Sequence, residues 1–168
     1  MRDHITDEHT KRVTELTIAL AKKMGVPDVE MEHIRRGALL HDIGKIAISD
    51  IILQKPGKLT REEFKVMQTH PEKAYQLLLH VDFLVPAIDI PYCHHERWNG
   101  TGYPRRLKEK QIPLAARIFA VVDVYDSITS DRPYHKAWDK ETALDYIRNE
   151  SGQHFCPRVA SAFLKMMA

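Results

Sequence analysis

Leu114-Ala-Ala-Arg-Ile-Phe-Ala-Val-Val-Asp-Val-Tyr-Asp-Ser-Ile128 decides the fold. The run is apolar on nearly every side, and at helical period this describes a central helix buried all round rather than an amphipathic surface helix. Pro113 stands immediately before it, a favoured first-turn position. One residue does not belong in such a helix on hydrophobic grounds. Asp123 lies within Phe119-Ala-Val-Val-Asp-Val-Tyr125. Burying an isolated carboxylate is very costly, so it needs a metal, a cation or several hydrogen bonds. The alternative is a helix carboxylate that reaches a surface or backbone partner, and the run alone does not separate the two.

Outward from this core, the spacing reads as helix almost everywhere. Val13, Leu16, Leu20 and Met24 fall on one helical face. Gly25 and Pro27 end that helix. A second helix is predicted from Asp28 to Gly44, with Ile34, Ala38 and His41 on one face. Thr60 and Glu63 form a capping box opening another, which Pro71 breaks and restarts through His80. A helix from about Phe83 ends at His94-His95. Two more are expected over Asp139–Glu150 and Pro157–Met167. Between them lies one long irregular stretch, Arg97 to Ile112, holding Gly100, Gly102 and Pro104. Loops of this length are usually functional or disordered. No strand alternation, internal repeat or low-complexity segment is evident. The expectation is one all-α domain spanning 1–168.

Composition narrows the function classes. With 168 residues and a formal charge of +2, the chain has neither a nucleic-acid-binding charge nor a membrane-surface charge. DNA is therefore not an expected partner, and any anionic ligand must be held by a local site. No apolar run approaches the roughly 18 residues of a membrane span. Two cysteines, Cys93 and Cys156, make no disulfide framework, and a cytoplasmic location is expected. The chain opens almost at once on helical material, which suggests a domain excised from a larger signalling protein with a sensor or receiver partner.

Histidine is the unusual count, at ten. His9 lies four residues before Val13 on the core-facing stripe. His41-Asp42 follows the apolar Ala38-Leu-Leu40. His70 precedes Pro71 at a helix break, and His94-His95 precedes the glycine-rich stretch. Each taken singly reads more often as a structural histidine bonded to a neighbouring helix than as a ligand. Together, five histidines and two aspartates lie on predicted inward faces or helix ends. Mixed imidazole and carboxylate ligation suits iron, manganese, zinc or nickel. The lack of cysteine in the set argues against a structural zinc finger.

His41-Asp-Ile-Gly-Lys45 and His94-His-Glu-Arg-Trp-Asn-Gly-Thr-Gly-Tyr-Pro104 resemble the two signatures of the HD-GYP family. The likeness continues through His9-Thr-Lys-Arg-Val13, Lys55-Pro-Gly-Lys-Leu-Thr60, His70-Pro71, Ser130-Asp-Arg-Pro-Tyr134, Gly152 and Pro157, covering nearly the whole chain in order. A lone His-Asp pair is a weak signal; the long histidine-to-proline string following it is a strong one. The resemblance implies an HD-superfamily helical bundle with a long GYP loop and two, sometimes three, metal ions. It implies that His9, His41, Asp42 and Asp123 hold one ion, and that Asp42 bridges to a second held by His70, His94 and His95. Iron or manganese is the leading expectation, with zinc and nickel as alternatives. Two such ions clamp a phosphodiester and make hydroxide available at neutral pH. Asp42 and Lys45 would be catalytic, Lys45 reaching a phosphate oxygen where charge develops. Gly102, Tyr103 and Pro104 would rim the pocket, and Arg132 and His135 would contact substrate. The implied reaction is hydrolysis of cyclic di-GMP to pGpG or GMP. A module of the same fold that binds a nucleotide or partner without catalysis is the second reading, and the GYP loop with Trp98 is a further candidate docking surface.

Four departures from the family pattern carry expectations. Ile5 stands where some members carry a third-metal glutamate, so two ions are expected. His135 replaces a basic residue, which would make phosphate contact weaker and pH-sensitive. Cys156 replaces a helix-capping aspartate, so a looser C-terminus is expected. Asn99 replaces an acidic residue in the GYP loop and would alter loop closure or substrate choice.

Overall fold

A computed structural model describes residues 7–131 and 136–168. Among them there are no strands, only an isolated bridge between Ser151 and Phe155, as expected of an all-α chain. The α-helices are α1 (Asp7–Lys23), α2 (Asp28–Leu39), α3 (Asp50–Leu53), α4 (Arg61–Met67), α5 (His70–Leu78), α6 (Asp89–Cys93), α7 (Leu114–Thr129), α8 (Lys140–Asn149) and α9 (Pro157–Met167). Arg132 and His135 lie outside the described residues, as does Ile5.

Helix α7 is the axis of the bundle. Ala116, Ile118, Phe119, Val121 and Val122 are all buried, and α1, α6, α8 and α9 pack around it. Val13, Leu20 and Ala21 of α1, Ile147 of α8 and Phe163 of α9 join it in one core. Removing this apolar area from water is the main force holding the helices together. Thr60 and Glu63 form the expected capping box at the start of α4.

Two predicted helices are shorter than their periodicity suggests. The helix expected from Asp28 to Gly44 stops at Leu39, and Ile43–Ala47 forms a separate 3₁₀ turn. The helix expected from Phe83 to His95 is a 3₁₀ segment, Asp82–Ala87, followed by α6. Pro86 lies within that 3₁₀ segment and has no N–H for an α-helical ladder. Both breaks serve placement. The first turns Asp42 out of line with α2, and the second delivers His94 and His95 at the end of a short helix.

Gly44 shows why the first break takes its form. A Cβ there would collide with the backbone of His70 and Ala74. Only glycine lets the 3₁₀ turn lie directly on α5, which brings Asp42 against His70. Cys156 supplies no side-chain cap to α9, as expected. The helix is nevertheless anchored by buried Val159, Ala160 and Phe163, so the looseness expected of it is not what its packing provides.

Candidate metal centre

Five elements converge on the middle of α7. His9 comes from α1, His41 from the residues just after α2, Asp42 from the start of the 3₁₀ turn, His70 from the first turn of α5, and His94-His95 from the end of α6. Asp123 projects from α7 itself. Their ligand atoms form two groups, Asp42 with His70, His94 and His95, and His9 with His41 and Asp123, the atoms of each group lying within 4.8 Å of one another.

Asp42 joins the groups. Its Oδ2 lies 3.1 Å from His41 Nε2, while its Oδ1 lies 3.3 Å from His70 Nε2 and 3.8 Å from His94 Nε2. His70 and His94 face each other through their Nε2 atoms at 3.3 Å, and His9 Nε2 lies 3.6 Å from Asp123 Oδ1. The ring of Phe119 lies 4.9 Å from that of His41 and walls the site on the core side.

The orientation of the imidazoles is settled by what their other nitrogens touch. Nδ1 of His41 lies 2.8 Å from Ala38 O, and Nδ1 of His70 lies 2.8 Å from Met67 O. Nδ1 of His94 sits 3.1 Å from Ile90 O and 3.2 Å from Pro91 O. A carbonyl only accepts, so each Nδ1 carries the proton and donates it. The Nε2 lone pairs of His41, His70 and His94 are thereby left facing the site, the arrangement that metal-binding histidines use.

His9 follows the same rule with a carboxylate. Its Nδ1 is 2.6 Å from Asp126 Oδ2. Asp126 in turn accepts from Arg12 through Nε at 2.7 Å and Nη2 at 3.0 Å. Neither Asp126 nor Arg12 is a sequence-predicted site residue. Asp126 lies three positions after Asp123 and Arg12 three after His9, on the same helical face, a spacing that becomes a signal only once α1 and α7 are known to face each other.

Electrostatics agree with the geometry. Burial, reinforced by neighbouring His95, holds His94 well below the ordinary histidine range, and burial together with His70 lowers His95 to about 3. Both are neutral at pH 7 and ready to ligate. Burial works against the Asp42 carboxylate, but His41, His70 and Lys45 outweigh it and keep the group ionised. Burial raises Asp123 despite His41 and His9 nearby, so its charge is under-compensated. His94 and His95 held neutral beside an ionised Asp42, with Asp123 short of positive charge, are a donor set that fits divalent cations.

Lys45 and the glycine-rich loop lie next to this centre. Lys45 Nζ lies 3.1 Å from Asp42 Oδ2. Tyr103 stacks on His95, ring centroids 4.7 Å apart, and its N–H donates to His95 O at 3.2 Å. Gly102 is buried where a Cβ would strike the backbone of His95, Glu96 and Arg97. The loop therefore folds directly onto the histidine pair, with Pro104 following Tyr103 through a cis bond. Asn99 accepts from the N–H and hydroxyl of Thr101 at 3.0 and 2.6 Å, closing a local turn. Trp98, expected on an exposed docking face, is instead half-buried against the core with the Arg117 guanidinium over its ring.

An all-α bundle holding two adjoining His/Asp groups around a shared aspartate defines a class of helical metal-binding domains. A family model described as HD domain matches residues 1–159, and the chain belongs to that family. It is 46% identical over 166 residues to a cyclic di-GMP phosphodiesterase of Pseudomonas aeruginosa, covering 97% of this chain and 39% of that protein. It is 42% identical over 166 residues to a cyclic di-GMP phosphodiesterase response regulator of Xanthomonas campestris pv. campestris, covering 98% of this chain and 44% of the relative. Among solved structures, an HDG"Y"P protein from Bdellovibrio bacteriovorus superposes with a TM-score of 0.74 at 26% identity, covering 95% of this chain and 51% of that one. The chain thus spans about two-fifths of the length of these curated relatives.

Proposed function

We propose that this chain is the catalytic domain of a metal-dependent cyclic di-GMP phosphodiesterase, producing pGpG or GMP. The observation that carries the reading is the division of Asp42, one oxygen toward His41 and the other toward His70 and His94. In this reading His9, His41, Asp42 and Asp123 hold one divalent ion, and Asp42, His70, His94 and His95 hold the second, iron or manganese. A pair of ions so placed would polarise the scissile phosphodiester and supply a water nucleophile at neutral pH.

The remaining work falls to the chain's own groups. Pinned Nδ1–H bonds keep the imidazoles from reorganising as charge develops, which is the basis of electrostatic preorganisation. Lys45 places a cation beside Asp42, where it would receive a phosphate oxygen. Tyr103 and Gly102 bring the loop against His95 and form one wall of the pocket, with Pro104 at the rim. Arg132 and His135 are assigned to the substrate phosphates on the family resemblance alone. The names of the relatives support cyclic di-GMP as substrate, and one of them is a response regulator, which favours a receiver as partner domain. Among the described residues no helix is long and apolar enough to cross a membrane, and we assign the domain to the cytoplasm.

The test is hydrolysis of cyclic di-GMP and of a mixed guanine-adenine cyclic dinucleotide by protein loaded anaerobically with ferrous iron or manganese. Metal-dependent conversion of cyclic di-GMP that disappears in Asp42→Ala supports the proposal. Preference for the mixed dinucleotide would reassign the substrate. Tight nucleotide binding without turnover by the fully loaded protein would replace the enzyme with a signalling module.

A further inference from the structure

We propose that Glu96 is the positioning residue of the glycine-rich loop, its carboxylate holding the substrate-facing wall in shape before substrate arrives. This rests on the phosphodiesterase reading and deepens it. Glu96 directly follows the ligand pair His94-His95, yet it belongs to neither ligand group. It is only 2% exposed, and both its oxygens are engaged by the loop. Oε1 accepts the N–H of Arg105 at 2.8 Å, and Oε2 accepts the N–H of Leu107 at 2.9 Å.

The residue between those two donors shows what the carboxylate accomplishes. Arg106 has a φ of 55°, in the left-handed region that non-glycine residues seldom occupy. Such a conformation persists only where surrounding contacts over-determine it. Here the bonds to Glu96 fix the backbone on both sides of it. The same turn of chain is fastened at its other end, where Gly102 lies against the backbone of His95, Glu96 and Arg97, and Tyr103 is bonded to and stacked on His95. Glu96 is the hub of this closure: the loop leaves the ligand pair, runs past the site as Tyr103 and Pro104, and returns to the carboxylate next to where it began. Arg105 and Arg106 are exposed at the surface of the closed loop.

The test uses the full chain loaded with metal, comparing wild type with Glu96→Gln, which keeps the shape but presents an amide N–H₂ to one backbone donor. A buried donor left without its acceptor costs enough to shift a local equilibrium about tenfold. Bound metal should be unchanged, trypsin cleavage after Arg105 and Arg106 about tenfold faster, and KM for cyclic di-GMP raised about tenfold with kcat changed less than about threefold. Glu96→Asp, whose shorter carboxylate reaches only one donor, should show the same pattern more weakly. Loss of metal in Glu96→Gln would overturn the proposal by making Glu96 a support of the ligands. Faster cleavage with KM unchanged would overturn it by separating the loop from substrate. If wild type hydrolyses no cyclic dinucleotide, the phosphodiesterase reading fails on its own, and unchanged tryptic cleavage in Glu96→Gln would then overturn the role of Glu96.

Discussion

Asp126 uses both oxygens of its carboxylate, orienting His9 through one while Arg12 grips both. Outer-shell partners of ligating histidines typically contribute tenfold to a hundredfold in metal affinity. Asp126→Asn is expected to weaken binding by about that factor at the His9–Asp123 group, measured by competition with a chelator. The same residue carries a pH dependence. Burial opposes its ionisation, but His9 and Arg12 prevail and lower it from the ordinary carboxylate value of 3.8 to about 2. A depressed carboxylate gives stability that is complete above its unfolded value and is lost as pH falls through its folded one. Metal-free wild type should therefore lose about 2 kcal/mol more than Asp126→Asn between pH 4 and pH 2 in urea melts. All seven residues of the two His/Asp groups were legible in the sequence because their motifs put imidazoles and carboxylates where a core would not otherwise have them. Asp126 and Arg12 were not, because an Asp and an Arg at helical spacing look like ordinary surface charge until the two helices are known to face each other.

At the scale of elements, the 3₁₀ turn between α2 and α3 sets the distance between Asp42 and His70. Gly44→Ala would drive that turn off α5, since the added carbon meets backbone rather than a yielding side chain. Overpacking of this kind costs about 1–3 kcal/mol. We expect a loss of that size in thermal or denaturant melts, together with weaker metal binding at the Asp42–His70 group. A variant equally stable and equally metallated would show that the turn does not set the distance. Helical periodicity revealed α1, α7 and α9 nearly to their ends because their apolar faces are continuous. It overran α2 because Leu39, Leu40 and Ile43 continue the apolar pattern past the point where the chain turns. It also merged the 3₁₀ segment with α6, although Pro86 and Pro91 were there to be read as interruptions.

Across the whole molecule, the centre gathers residues that lie as far apart in sequence as His9 and Asp123. An ion held between α1, α2 and α7 would cross-link helices that otherwise meet through apolar packing and, between α1 and α7, through the bonds of His9 and Arg12 to Asp126. Binding to the folded state alone adds stability in proportion to the logarithm of ligand excess. Chelation is therefore expected to lower the Tm by roughly 5 °C or more, given about 2–4 °C per kcal/mol for a chain of this size. A chelator-insensitive Tm in protein first shown to hold metal would argue against ions at this position. The long loop was legible in the sequence as functional or disordered; that it is ordered depends on Glu96 meeting backbone N–H groups of Arg105 and Leu107, a contact no periodicity encodes. The sharing of Asp42 has a consequence for how such ions would enter. One carboxylate cannot serve two cations independently: the first to arrive fixes its torsion, which favours the second, and draws on its charge, which disfavours it. The two occupancies are thermodynamically coupled, and by reciprocity each ion alters the other's affinity by the same factor. A metal titration of this protein should accordingly trace one cooperative or anti-cooperative curve rather than the sum of two separate isotherms.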